Sequence, residues 1–441
     1  VSSAFGQSIQ GLRGTGRRLF ANAPEGGLPG EEDDVLIELL TEIYGLVSGP
    51  PGWRRTLLSK FKDLEFSRHP LAPCVMLMYE TFEPSSGTRE ALRDKKENNP
   101  PYDLVTKKKS KKNLSGVIVI ETDDLLFGGV GPRFHEGIKA LRASFKFGSW
   151  HSLMDAPKQY SGIMLKQTKD YGFEVSMARY LRDHARPIRI DKGPGGKPRP
   201  ITDLAKPGEV TGSRASLGSM LWCTRKACPQ AAGDVSILAS TLPNPIVKDM
   251  QEMNATLRRL QQSVDVPIRI RPIPLNLLTG LVFTDASLGN AEGHKSQLAY
   301  LACCADVSIQ KGAEADISIL CWKSNKMSRA ASNVLFTEAN AMSDGLAFME
   351  WMSTWLGLAK DLEYDMRKRA EKNREIQLNC IMPDPEQLHN VIGVTDSKSM
   401  YDNLNREQFT GAEKRSALEI AVIRDSLHTM DGKVSWVPHE K

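Results

Sequence analysis

Residues 277–287 read LLTGLVFTDAS, an apolar, β-prone run that ends in a carboxylate. The pattern predicts a strand, with Asp285 at its exit. Two further strand patterns follow at once, SQLAYLACCADVS at 296–308 and ADISILCWKSNK at 315–326. A long helical pattern over 337–358 comes next. Residues 388–404, LHNVIGVTDSKSMYDNL, then read as a strand running into a helix. A second helix is predicted over EKRSALEIAVIRDSL at 413–427, and KVSWVP at 433–438 closes the series as a last strand. Three strands, a helix, a strand, two helices and a strand describe an α/β domain over 275–441.

Three carboxylates in that domain share a local context. Asp285 leaves its strand, Glu338 opens the helix in LFTEANAM, and Asp396 ends VIGVT. Asp285 and Asp396 each also read as a cap of the turn or helix that follows, a role Asp fills routinely. If the strands are neighbours, however, the three converge, and converging carboxylates repel unless cations offset them. Oxygen donors suit Mg²⁺, with Mn²⁺ as an alternative. Two such ions roughly 3.5–4 Å apart clamp the attacking and leaving oxygens of a phosphodiester.

The same logic applies further upstream. VIVIETDDLLFGG at 117–129 predicts a hairpin whose tip presents Asp123 and Asp124, with CVMLMYE at 74–80 as a neighbouring strand. The bland alternative is a solvated turn. Between these strands lies a charged, polar insertion, 82–113, that includes the block KKKSKK at 107–112; its composition is that of a loop. Residues 33–47 carry helical periodicity, and GPPGWRR at 49–55 is expected to break that helix and restart the chain at a basic patch. Downstream, a helix over about 132–144 precedes a hairpin made from YSGIMLKQ and YGFEVS. A Pro/Gly/basic loop spans 186–210, residues 213–262 are mostly helical in pattern, and VDVPIRIRPIP at 264–274 reads as a boundary.

Composition sets outer limits. The 441 residues carry a formal charge of only +5, so nucleic-acid binding does not follow from charge alone. No apolar run approaches a membrane span. The chain opens on VSSAFGQSIQ, without a basic start or an initiator Met, and reads as the middle of something longer. Seven cysteines (74, 223, 228, 303, 304, 321 and 380) form no metal-ligand spacing; reduced, intracellular thiols are expected, with Cys303 and Cys304 in the core.

Taken in order, VSSAF, LFANAPEG, YGLVSGPPGWRR, CVMLMY, DDLLFGG, YSGIMLKQ and GSMLWCTRKACPQAAGDVSILAS, followed by TDAS, WKSNK, TEANAM, TDSKS and WVPHEK, resemble the copia-type retrotransposon polyprotein. The similar region is its reverse transcriptase followed by ribonuclease H. The resemblance implies an α/β and α+β multidomain fold, a reverse-transcriptase-like palm and thumb followed by a ribonuclease-H-like α/β domain. Its divisions would be a partial palm over 1–150, a hairpin, thumb and connection region over 151–274, and a ribonuclease-H-like domain over 275–441 lacking its C-terminal helix. By the resemblance Asp123 binds metal with Asp124 beside it, and Asp285, Glu338 and Asp396 are metal-binding carboxylates of the nuclease. YSGIMLKQ lies near the primer grip.

The family's Tyr/Phe-Val-Asp-Asp box stands here as Glu121-Thr122-Asp123-Asp124, a departure that puts a negative charge where an aromatic packs. A further metal-binding aspartate is expected before Val1 and another after Lys441, outside the sequence at hand. The implied activity is RNA-directed DNA synthesis coupled to hybrid hydrolysis, with the isolated chain expected to be inactive as a polymerase. The alternative is a decayed or domesticated nucleic-acid-binding derivative. Implied partners are an RNA template, a DNA primer, an RNA/DNA hybrid and other parts of the parent polyprotein, with no membrane. The implied compartment is cytoplasmic or nuclear. Arg54, Arg55, Arg258, Arg259, Lys323, Lys326 and Arg329 are the candidate backbone contacts, and His439 reads as a surface residue.

Overall fold

The computed structural model describes residues 4–7, 18–22, 29–30, 35–41, 46–80, 113–291, 295–328, 330–371, 389–406 and 414–438. The chain divides into two units, Val1–Trp150 with Trp355–Tyr364, and His151–Thr354 with Asp365–Lys441.

In the first unit, strands β1 (Leu19–Asn22) and β2 (Leu36–Leu39) pair antiparallel as a two-stranded ribbon. The helix expected over 33–47 is therefore corrected to a strand at Leu36–Leu39: cross-strand pairing of Leu19 with Leu39 and Phe20 with Glu38 overrides a weak helical preference. GPPGWRR starts a helix rather than breaking one. Pro50 and Pro51 lie in the first turn of α1 (Gly49–Asp63), where a missing N–H costs nothing. Strands β3 (Ser67–Arg68), β4 (Val75–Glu80), β5 (Asn113–Glu121) and β6 (Asp124–Gly129) form an antiparallel sheet in that order, followed by α2 (Pro132–Ser144). Met76, Met78 and Ile118 pack with Trp53, Leu57, Phe61, Phe134 and Leu141 into one core. The body of the polar insertion, 82–112, lies outside the described residues.

The second unit begins with β7 (Lys158–Tyr160), β8 (Ile163–Gln167) and β9 (Phe173–Ser176). Helices α3 (Ala178–His184), α4 (Pro207–Lys226), α5 (Ala232–Ala239) and α6 (Val247–Ser263) follow, packed through Leu181, Leu217, Met220, Val235, Met250 and Leu257. The segment read as a boundary at 264–274 instead supplies β10 (Ile268–Ile270), which pairs with β9 and completes a four-stranded antiparallel sheet. The Pro/Gly/basic loop is tied down from inside. Arg199 Nη1 donates to both Glu209 carboxylate oxygens at 2.8 Å, and the N–H groups of Asp191 and Lys206 donate to the same carboxylate at 2.9 and 2.7 Å. Burial alone would raise the Glu209 carboxyl, but these donors outweigh it and hold the group below its usual range.

The remaining strands, β11 (Leu278–Ala291), β12 (Lys295–Asp306), β13 (Ile317–Lys326), β14 (Val391–Thr395) and β15 (Gly432–Trp436), form a mixed sheet in the order β13-β12-β11-β14-β15. The first three are antiparallel hairpin partners, while β11/β14 and β14/β15 are parallel. Helices α7 (Val334–Lys360), α8 (Lys398–Asn405) and α9 (Lys414–Met430) pack against it through Ala339, Met342, Leu346, Met400, Ile420 and Ile423. Cys303 and Cys304 are buried as expected, and burial pushes their thiols up to about 12 and about 11.

Close approach of α7 to the sheet depends on Gly345, where a Cβ would meet Val282 Cγ1 at 2.4 Å and Tyr300 Cβ at 3.2 Å. Overpacking costs about 1–3 kcal/mol, against a gain of about 1 kcal/mol from removing a helical glycine. Gly345→Ala is expected to cost a net of about 1 kcal/mol in urea unfolding. An unchanged or raised midpoint would show that the helix is not held this tightly.

Candidate metal centre

The register of the parallel pair brings the first two carboxylates together. Phe283 is opposite Val394, so continuing the ladder by two residues sets Asp285 beside Asp396. Asp285 does not end its strand, as the sequence pattern suggested: β11 runs on to Ala291, held by β12, and it is β14 that stops at Thr395. The exposed edge at Asp285 is thus made by a partner strand ending.

Glu338 is the fifth residue of α7, and it is 4% exposed. One oxygen from each of Asp285, Glu338 and Asp396 lies within 4.8 Å of the others. The two aspartates are solvent-exposed and the glutamate is beneath them. Burial first, then the neighbouring Asp285 and Asp396 charges, push the Glu338 carboxyl up to about 8, against the Ala286 N–H that donates to it. Its Oε2 is buried with no hydrogen-bond partner. An orphaned buried carboxylate oxygen in a set of hard oxygen donors fits a divalent cation such as Mg²⁺ or Mn²⁺.

The loop carrying Asp396 is braced from two sides. Ser397 N–H donates to Thr395 Oγ1 at 3.0 Å, and Trp436 Nε1 donates to the Asp396 carbonyl at 3.0 Å. The sequence pattern had placed Trp436 in a strand and no more; its role shows only when β15 lies next to β14.

In the first unit, the paired aspartates occupy the β5–β6 hairpin. Thr122 and Asp123 form the turn, and Glu121 pairs directly with Asp124. Thr122 is in the left-handed region at φ 53°, and Trp53 Nε1 donates to its carbonyl at 2.9 Å. Like charges opposite one another, as Glu121 and Asp124 are, destabilise a strand pair. Asp285, Glu338 and Asp396 make the only group of three or more potential metal ligands among the described residues, so no third ligand joins Asp123 and Asp124 there.

The basic candidates are scattered. Arg54 and Arg55 are exposed on α1, and Arg54 lines a cleft of about 190 Å³ with Trp53, Leu57, Ile120 and Thr122. Arg258 and Arg259 are exposed on α6, with Arg259 paired to Asp234 at 2.6 Å. Lys323 on β13 is paired to Asp344 at 2.8 Å, and Lys326 is half-buried at the end of that strand. Arg329 and His439 lie outside the described residues. No described helix is long and apolar enough to cross a membrane.

No family model matches the chain. It is similar to the "Putative transposon Ty5-1 protein" of Saccharomyces cerevisiae, with 20% identity over 280 residues, 62% of this chain and 79% of that protein. Among solved structures, ribonuclease H1 from the halophilic archaeon Halobacterium salinarum aligns with 37% of this chain and 87% of its own at 12% identity and a TM-score of 0.21. The foamy viral protease-reverse transcriptase in complex with double-stranded DNA aligns with 93% of this chain and 52% of its own at 8% identity and a TM-score of 0.41. These are low-identity relationships to a transposon protein and to ribonuclease H and reverse-transcriptase structures.

Proposed function

We propose that Asp285, Glu338 and Asp396 form a divalent-cation site that hydrolyses the RNA strand of an RNA/DNA hybrid, in a chain derived from a copia-type retroelement polyprotein. The observation that carries this reading is the convergence of three carboxylates, from two adjacent parallel strands and the helix packed on them, to within 4.8 Å. Mg²⁺ bound there would activate water and neutralise charge on the phosphodiester. The chain's own contribution is positional. The ladder with β12 fixes the backbone of Asp285, Trp436 fixes that of Asp396, and α7 supplies Glu338. In this reading a strand would arrive on the side of the exposed aspartates, with Glu338 buried behind them. Groove shape and 2′-hydroxyl contacts would distinguish hybrid from DNA duplex.

In the same reading the β3-β4-β5-β6 sheet with α1 and α2 is a reverse-transcriptase-like palm, and the region over 151–274 is thumb and connection. Asp123 would then be the palm's metal ligand. The second reading, a nucleic-acid-binding derivative without polymerase activity, is favoured for this unit by Glu121 opposite Asp124.

The test is incubation of the chain with Mg²⁺ and, separately, a labelled RNA/DNA hybrid, single-stranded RNA, duplex RNA and duplex DNA. Cutting confined to the RNA of the hybrid is the expected result. Cutting of every RNA alike, or of none, would sink the hybrid nuclease.

A further inference from the structure

Beyond the carboxylates, the chain just past Asp396 carries a cation that lies over two aromatic rings. Lys398, the first residue of α8 and two residues past Asp396, holds its Nζ 5.0 Å from the centre of the Trp436 ring and 5.3 Å from that of Tyr401. The same ammonium donates to Asp402 Oδ1 at 2.8 Å. Trp436 ends β15, opposite Thr395 of β14, and is 38% exposed. Its Nε1–H is spent on the Asp396 carbonyl, so the indole edge is anchored to the metal-site loop while the residue keeps solvent exposure.

We propose that Lys398, Tyr401 and Trp436 form a docking patch for one nucleotide of a nucleic-acid strand, with the phosphate on the Lys398 ammonium and the sugar or base against the indole. The proposal rests on the nuclease reading above and adds to it the contact that holds a polyanion beside three carboxylates.

The physical argument begins with repulsion. A cluster of two exposed carboxylates over a third drives phosphates away, so a strand needs a cation at the rim as well as cations in the cluster. A lysine on an ordinary surface is a poor choice, because its flexible stem must be ordered on binding. Here the rings have already confined the ammonium. Its carboxylate partner does not remove it from use: the Lys398–Asp402 pair is an exposed i,i+4 pair, with 57% and 36% of the side chains accessible. Such pairs are weak, and an ammonium has three donors, so a phosphate oxygen can be added or exchanged in. A partly exposed indole beside a cation is also the chemistry on which a nucleotide stacks without regard to sequence. Position supplies the last element: Val437 N–H donates to Thr395 O at 2.9 Å and Trp436 Nε1 to Asp396 O at 3.0 Å, so two hydrogen bonds tie the patch to the segment that carries the aspartate.

The experiment measures binding of a fluorescent RNA/DNA hybrid to the full chain by anisotropy, with Ca²⁺ replacing Mg²⁺, between 50 and 200 mM salt. Lys398→Ala is expected to weaken binding about fivefold at the low end and to reduce the slope of log affinity against log salt by about 0.9, one phosphate contact. Lys398→Arg should keep the wild-type slope. Trp436→Phe keeps a ring and drops the N–H, and should bind within about twofold of wild type, whereas Trp436→Ala should lose about fivefold. Thermal melts of each variant report whether the patch merely braces α8. A lowered melt with unchanged hybrid affinity and slope in Lys398→Ala would overturn the proposal, as would equal losses in Lys398→Ala and Lys398→Arg. If the wild-type chain binds no hybrid, the nuclease reading falls together with the patch. If it binds and cuts hybrid while Lys398→Ala is indistinguishable from it, the patch alone falls.

Discussion

Asp285→Asn is expected to lower cleavage of the RNA strand of a hybrid by roughly 10³-fold, beyond the 10–100-fold that follows loss of a supporting contact around a metal. The substitution keeps size and shape and removes one charge. Asp285 is held opposite Ala299 in the antiparallel ladder with β12, so its backbone has no reason to move. Its side chain is exposed, so no buried group is orphaned by the change. Stability should therefore be unchanged, or slightly increased, because one of the two charges that push the Glu338 carboxyl upward is gone. Loss of cleavage with an unmoved urea midpoint is the signature of a metal ligand. Cleavage within tenfold of wild type would mean that Asp285 is a surface carboxylate, and the cluster would lose its assigned role.

How much of this was readable beforehand follows from where the determinants lie. Asp285 and Asp396 each follow a run of strand-forming residues, and Glu338 follows a helix start, so a one-dimensional pattern could suggest that they meet. The pattern could not show that β11 continues past Asp285, since the edge is produced by the end of β14, more than a hundred residues later in the chain. Nor could it separate the buried glutamate from the two exposed aspartates, because burial comes from α7 lying on the sheet at Gly345. Trp436 and Lys398 carry no signal until β15 and α8 are placed together. The ribbon at Leu36–Leu39 departs from its helical pattern for the opposite reason. Four residues of strand carry too little period to compete with a helical pattern, and only their partner at Leu19–Asn22 decides the matter.

Glu338 makes the cluster a proton-linked site, and Glu338→Gln tests that directly. Its carboxyl is pushed up to about 8 in the folded chain from an ordinary value of 4.5. Without a cation, the folded state holds a proton that the unfolded state releases between those values. The stabilisation from that proton is complete below about pH 4.5 and is lost as pH rises through about 8. In EDTA the wild-type chain should lose on the order of 4 kcal/mol of stability between pH 5 and pH 8.5 through this group. Glu338→Gln should abolish that component, matching wild type at pH 5 and exceeding it at pH 8.5. With Mg²⁺ the order reverses. A divalent ion supplies the charge that the buried carboxylate lacks, so wild type should be stabilised increasingly toward high pH, releasing about one proton per site, while the variant gains little. Apparent affinity for Mg²⁺ should rise about tenfold per pH unit below pH 8 and level off above it. Urea unfolding at three pH values, with EDTA and with Mg²⁺, reads all of these terms. Parallel pH profiles for the two proteins in EDTA would show that Glu338 is already ionised, and the link between proton and metal would be lost.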